Sequence, residues 1–431
     1  MSKVYTVAII GCGSRGAFVY GNLMYDQKEK FKIVSLCDID SIALNTYQSK
    51  FFVDKNNCFS SEEEFFKVKR ADVLVIGTQD RDHVRMAIKA IRLGYDILLE
   101  KPISPLEEEL YELRNENKIY NRKILVCHVL RYAPAYIKIK ELLDGGEIGK
   151  LIRMEALEQV RYAHQAHSFV RGNWRKESET SSMIMQKCCH DLDMIQYYIG
   201  ARCETVYSNG ALAYFKAENQ PDGASDRCYD CTYIHSCPYS AENHYVKAWL
   251  DDNKPFGWPY NVVDNHNPYT EDTLREAYKN GPYGQCVFKC DNDVVDNQMV
   301  AMRFENGVYA TLTMTAFTAK GGRIYTFHGA NGEIELNESD NYLRLKKYTG
   351  TLTPNITEWK ISDLVSEQME NSFGHGGGDY MMIERFYEIL EGSGTAETSL
   401  EKSIESHLIA IKAEESRKLW KELRIHERTM S

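Results

Sequence analysis

The chain has 431 residues, 43% of them apolar and 26% charged, with a formal net charge of −10 at pH 7. That length exceeds what one hydrophobic core usually serves, so two domains are expected, and the composition is globular rather than disordered or fibrous. The acidic excess argues against a nucleic-acid partner, which needs a clustered basic face, and no run of about 18 apolar residues is available to span a membrane.

In chain order, the β-branched run Val4 to Ile10 reads as a strand and leads straight into Gly11-Cys12-Gly13-Ser14-Arg15-Gly16. Strand, glycine loop and helix in succession predict a dinucleotide site. Gly11 permits the tight turn, Gly13 lets a pyrophosphate approach the backbone, and Gly16 packs helix on strand, while Ser14 and Arg15 open the helix N-terminus that favours an anion. A second strand, Lys32 to Cys37, ends at Asp38, where this unit places the carboxylate for the adenosine ribose. Asp38 and Asp40 would repel a 2′-phosphate, and no Arg or Lys adjoins them, so NAD is expected rather than NADP.

The strand Asp72 to Gly77 precedes Thr78 and a helix with Val84, Ala87, Ile88 and Ile91 on one stripe. Alternating strands and helices imply a doubly wound parallel sheet. Tyr95 to Leu99 is another strand, followed by Glu100-Lys101-Pro102, so Lys101 lies at the carboxyl edge where such sheets bind ligands. Thr78, His83 and Glu100 are placed on the cofactor side of that edge, His83 with a purely structural role as its alternative. Ser104 is expected to cap the next helix, with Glu107 closing a capping box.

These residues, with the segment His128 to Pro134 (HVLRYAP) and His190-Asp191-Leu192-Asp193, resemble the family of glucose-fructose oxidoreductase and inositol dehydrogenase (Gfo/Idh/MocA). Gly374 to Asp379 extends the similarity towards the C-terminus. The resemblance implies a Rossmann domain over residues 1–127 and a substrate-binding α+β domain over 128–431 with a large mixed, mainly antiparallel sheet. It also implies a homodimer or homotetramer built on that sheet.

The second half supports this with hairpin signals. Met299 to Glu305, Asn306-Gly307 and Val308 to Thr313 read as two strands joined by a type I′ turn, and Arg323 to Gly329 with Glu333 to Leu336 as another pair. A long insertion is expected at about 203–290. Taken as one helix, Met183 to Gly200 puts Leu192, Ile195 and Ile199 on an apolar stripe and Lys187, His190 and Asp191 on another face. A histidine can take up the hydroxyl proton when hydride leaves an alcohol carbon, and a neighbouring ammonium can polarise the oxygen. His190 is therefore the candidate acid/base, Lys101 the polarising group and Lys187 a third polar group, with a packed core histidine and a solvated lysine as the alternatives. The resemblance supports Lys101 and His190 but shows a departure: many sugar-alcohol members carry an aspartate four residues before this histidine, where Gln186 stands here.

Arg131, Tyr132, Tyr162, His164, His167, Trp174 and Arg175 bracket the catalytic segment and suit a sugar's apolar faces and polar rim. By resemblance Tyr162, Trp174 and Arg175 line the substrate cleft and His375 reaches it from a glycine-rich loop. Twelve cysteines in a chain whose start, Met1 to Gly11, lacks a signal-peptide pattern suggest reduced thiols and a cytoplasmic location. Cys228-x-x-Cys231 and Cys237 form a separate group, a candidate structural zinc site, with an iron–sulfur cluster or free thiols as alternatives. The expected activity is NAD-dependent hydride transfer to or from a sugar, polyol or glycoside carbon. Glycoside cleavage by transient oxidation and a non-catalytic NAD-binding regulator are the competing functions.

Overall fold

The computed structural model describes residues 3–426 except 256, 265–267 and 371–373. Six strands, β1 (Tyr5–Ile10), β2 (Phe31–Cys37), β3 (Cys58–Phe59), β4 (Val73–Ile76), β5 (Asp96–Leu99) and β6 (Ile124–Val126), form a parallel sheet in the order β3-β2-β1-β4-β5-β6. The sheet is covered by helices on both faces, so its strands are apolar almost throughout; β4 is buried at every position. The helix His83–Arg92 packs on it through Val84, Ala87, Ile88 and Ile91, all buried as the helical spacing requires.

The second sheet contains β7 (Leu151–Arg161), β8 (Cys203–Ala211), β9 (Asn297–Phe304), β10 (Tyr309–Thr318), β11 (Gly322–Gly329), β12 (Gly332–Asn337), β13 (Tyr342–Lys347), β14 (Asn355–Lys360) and β15 (Leu423–Arg424). Its order is β14-β13-β12-β11-β7-β10-β9-β8-β15, and only the β7–β10 pairing is parallel. One face is solvated, so β9 and β11 alternate between buried and open positions. The other face packs under the helices Cys189–Ile199 and Leu400–Leu419, in one core that continues into the parallel sheet through residues such as Ile97, Ile124 and Ile404.

Four sequence expectations shift. The β9–β10 hairpin forms, but only Gly307 adopts positive φ (+83°), and its N–H bonds to Phe304 O at 2.9 Å, so the loop is a type I turn closed by a glycine bulge rather than type I′. The helix expected from Ser104 starts at Glu107, because Leu106 is extended; Ser104 Oγ accepts the Leu106 N–H at 3.0 Å and donates to Glu109 at 2.5 Å. The segment 183–200 is two helices, Met183–Gln186 and Cys189–Ile199, broken at Lys187 and Cys188. The excursion from the sheet begins after Ala211, since Cys203–Ala211 pairs with β9, and runs to the start of β9.

Candidate functional site

Where the carboxyl edge of the parallel sheet faces the second sheet, a cleft of about 430 Å³ opens. Gly13, Ser14, Arg15, Thr78, Glu100 and Lys101 line it from the N-terminal part of the chain, and Lys187, His190, Trp174 and His375 from the C-terminal part. The glycine loop fits a diphosphate. At Gly11 (φ +87°) a Cβ would stand 2.5 Å from the Gly77 carbonyl carbon, and at Gly16 it would stand 2.0 Å from Gly11 O, so only glycine lets these backbones meet. Over Gly13 there is nothing within 4 Å, which leaves open space above the helix Ser14–Asp26, whose first turns are of the wide π type. Asp38 stands at the end of β2 and accepts the Cys12 N–H at 2.5 Å, fixing the loop next to the position where a ribose would lie.

Arg15 lines the cleft, but its guanidinium is committed: it donates to Glu100 at 2.7 Å, Asp379 at 2.6 Å and the Tyr20 hydroxyl at 2.5 Å. The cluster ties the first helix to the helix Gly378–Glu391 near the C-terminus. Burial would raise the Glu100 carboxyl, but Arg15 and Lys101 outweigh it and hold the group below its usual range. His83 does not line the cleft. Its ring nitrogens lie 2.7 Å from Pro102 O and 3.1 Å from Thr78 O, so it braces the two loops that carry Thr78 and Lys101.

Lys101 Nζ donates to the main-chain oxygen of Gln186 at 3.0 Å, which holds it across the cleft beside the segment bearing His190. His190 is 6% exposed, with Nδ1 buried and unpartnered among the described residues. Burial, reinforced by the charges of Lys101 and Arg323, lowers its pKa well below the ordinary histidine value, so the ring is neutral at pH 7. The ring centres of His375 and His128 each lie 5.9 Å from that of His190. His375 is itself held by Asp379 at 2.8 Å.

Other residues of the segment face elsewhere. Asp191 points into the second sheet, where Arg323 reaches it at 2.9 Å and the Tyr325 hydroxyl donates to it at 2.7 Å. Lys187 lines the cleft but pairs with the buried Glu158 at 3.0 Å, and Arg323 also reaches Glu158 at 3.1 Å. With its amide oriented to satisfy both neighbours, Gln186 donates to Asp80 at 3.0 Å and accepts from Trp174 Nε1 at 2.7 Å.

The substrate set divides. Trp174 and His375 line the cleft, as do His164 and His167. Arg131 does not: it forms a buried two-point pair with Asp193 at 2.6 and 2.7 Å, and Tyr132 bonds Thr398 at 2.9 Å in the core. Tyr162 packs against Tyr239 and His244, and Arg175 binds Asp291 at 2.7 Å. Arg131→Met is therefore expected to destabilise the fold by about 3–5 kcal/mol, because Asp193 would be left buried without its counter-charge. Denaturant unfolding measures this; a variant of unchanged stability but raised substrate KM would contradict it.

Residues that the sequence did not single out complete the wall. The excursion brings Trp258 within 4.9 Å of His164 and 5.2 Å of His167, and Tyr283 stacks on His167 at 4.7 Å. Asp80, Trp258, Val262, Tyr283 and Arg323 all line the cleft. No short-range pattern marks them, because they come from four separate parts of the chain.

The expected zinc ion at Cys228, Cys231 and Cys237 is not supported. Among the described residues no group of three or more His, Cys, Asp or Glu side chains is placed to hold a metal ion. The three cysteines line a cavity, and no three such side chains of the described residues close on a single ion. Nor, among those residues, is any helix long and apolar enough to cross a membrane.

Comparison with known proteins agrees with this architecture. A model described as "Oxidoreductase family, NAD-binding Rossmann fold" matches residues 5–128, and one described as "Oxidoreductase family, C-terminal alpha/beta domain" matches residues 140–419. YteT of Bacillus subtilis (strain 168), named as an oxidoreductase, is 24% identical over 341 residues, 77% of each chain. The 2,7-anhydro-N-acetylneuraminate hydratase of Mediterraneibacter gnavus is 23% identical over 268 residues, 61% of this chain and 64% of that protein. The structure of a levoglucosan dehydrogenase in complex with NADH and levoglucosan superimposes with a TM-score of 0.72 at 16% identity, covering 99% of this chain and all of the other. The chain is thus a member of the Gfo/Idh/MocA oxidoreductase family, an NAD-binding Rossmann domain joined to that family's C-terminal alpha/beta domain.

Proposed function

We propose that the protein transfers a hydride between NAD and a carbon of a sugar, polyol or glycoside, with Lys101 and His190 as the catalytic pair. The observation that carries this reading is that both side chains line the cleft that Gly13 of the glycine loop also lines. Bound NAD supplies the hydride acceptor or donor. The chain's own work is to place the reacting hydroxyl and move its proton.

Lys101, held across the cleft at Gln186, donates to the substrate oxygen and stabilises the negative charge that develops there. His190, neutral in its buried setting, takes the proton of the substrate hydroxyl during oxidation and returns it during reduction. Lys187 is a weaker candidate for direct chemistry, since Glu158 already holds it. It sets the position of the polar floor instead. Trp174, Trp258 and Tyr283 offer flat apolar faces, with His164 and His167 as polar neighbours, a combination suited to a pyranose or cyclitol ring. The levoglucosan dehydrogenase neighbour is consistent with that class.

A second reading, a redox-neutral reaction in which the hydride is withdrawn and later returned, is favoured by one relative's being named a hydratase, a reaction without net oxidation. The decisive assay incubates the full chain and NAD with a panel of polyols, aldoses and glycosides, following NADH absorbance and product release together. NADH accumulation is the expected result. Sugar release without NADH selects the second reading, and no turnover across the panel removes both.

A further inference from the structure

Residues of the excursion after Ala211, together with Arg171, line a second cavity of about 220 Å³ that shares no lining residue with the cleft. Cys228, Cys231, Cys237 and Cys286 line it, together with Arg171. The backbone gathers these four cysteines from two distant stretches. Cys228 N–H donates to Gly284 O at 2.8 Å and Cys286 N–H to Asp226 O at 2.9 Å, around an antiparallel bridge between Arg227 and Gln285. Tight turns bring in the others, with Cys231 N–H on Cys228 O at 3.2 Å and Cys237 N–H on Tyr233 O at 2.9 Å. All four thiols are free of disulfides.

Hydrogen-bond donors converge on the sulfurs. Arg171 Nη2 donates to Cys228 Sγ at 3.4 Å, and Gln220 Nε2 to Cys286 Sγ at 3.9 Å. The main-chain N–H groups of Tyr239 and Phe288, each two residues past a cysteine, donate to Cys237 and Cys286. Donors so placed suit thiolate ligands.

Arg171 adds an independent observation. It is 2% exposed, and its contacts are neutral: Gln285 O at 2.7 Å, Tyr239 O at 2.8 Å and the Cys228 sulfur, while Nη1 is buried with no partner among the described residues. The leading charges that act on it come from Cys228, Tyr245, Cys290 and Cys286, none of them a carboxylate. A buried guanidinium without an anion is strongly unfavourable, so an anionic group belongs in this cavity.

We propose that the cavity holds an iron–sulfur cluster of the four-iron class, ligated by Cys228, Cys231, Cys237 and Cys286, with Arg171 as its buried counter-charge. A single zinc ion needs its four sulfurs at about 2.3 Å from one centre, which leaves no void between them. Here, among the described residues, no three such side chains close on one ion, while the four cysteines line a void of about 220 Å³ that a compact cluster of metal and sulfide fills, and a cluster carrying four thiolates is anionic. Each cysteine binds as the thiolate, and its proton goes to solvent. The cluster staples the segment around 226–238 to Cys286, three residues past Tyr283, and so fixes the aromatic wall that Tyr283 gives the cleft. This role is structural and independent of which substrate the cleft takes.

The test uses the full chain purified without oxygen. Roughly four iron and four acid-labile sulfide per chain are expected, with a visible absorption that bleaches on reduction. Cys286→Ser should lose most of the iron, and Cys290→Ser, whose sulfur donates to Cys286 O at 3.4 Å outside the cavity wall, should retain it. One zinc per chain without sulfide overturns the proposal. So does a wild-type chain that takes up neither iron nor sulfide on anaerobic reconstitution, or equal iron loss in the Cys286 and Cys290 variants.

Discussion

Lys101→Met and His190→Ala are each expected to lower kcat by roughly 10²- to 10⁴-fold, with NAD affinity changed by no more than a few-fold. Neither side chain is part of the glycine loop, whose backbone geometry is set by Gly11, Gly16 and Gly77. In the proposed reaction each acts on the hydroxyl: Lys101 through charge placed across the cleft, and His190 through a ring kept neutral by burial. Lys187→Met is the control. Its ammonium is already paired with Glu158, so the loss should be nearer tenfold and fall mainly on KM. Stopped-flow hydride transfer and NAD titration of the same preparations separate the effects; a His190→Ala enzyme with wild-type kcat would remove the acid/base assignment.

Acidification is expected to unfold the protein between about pH 6.5 and pH 5. His407 is fully buried, with one ring nitrogen accepting the Ile103 N–H at 2.8 Å and the other donating to Ser403 O at 2.7 Å, so a second proton would break the first bond. Burial, with the charge of His128, takes its pKa to about 3. Burial likewise takes His128 to about 4, against the opposing pull of Asp193, and His167 to about 3. These folded-state values lie below the unfolded value of 6.5, so the unfolded chain binds the extra protons and stability falls as pH drops through 6.5. At pH 5 each such histidine costs about 2 kcal/mol, and three together approach the whole stability of an ordinary domain. Thermal unfolding across this range should show a steep fall in Tm, smaller in His407→Gln, whose amide can still accept from Ile103. A flat Tm from about pH 7.5 to pH 5 would contradict the account.

The parallel sheet was readable because its information is local. A β-branched run, three glycines at fixed spacing and an acid at the next strand end each report backbone geometry within a few residues, and β1, the Gly11–Gly16 loop and Asp38 appear where those signals place them. The apolar stripe of His83–Arg92 was legible for the same reason. The β9–β10 hairpin was located correctly while its turn type was not, since Asn306-Gly307 fits two loop geometries that only the strand register separates.

Polar side chains were harder to assign. Arg131 and Arg175 look like substrate ligands in sequence, yet their partners Asp193 and Asp291 stand 62 and 116 residues away, and only folding pairs them. The same holds for Asp191, which helical spacing groups with His190 but Arg323 and Tyr325 draw to the other side.

Residue order alone therefore determined the nucleotide-binding unit and the β9–β10 hairpin, because each rests on short-range backbone rules, while the large second sheet was implied by the family resemblance and motifs picked out Lys101 and His190, which both line the cleft. Tertiary structure decided which charges are free and which are spent on neighbours, which aromatic rings form the wall, and that four cysteines from two distant stretches surround one cavity. Pairing and enclosure are long-range events, governed by which segments burial brings together, and no local pattern encodes them.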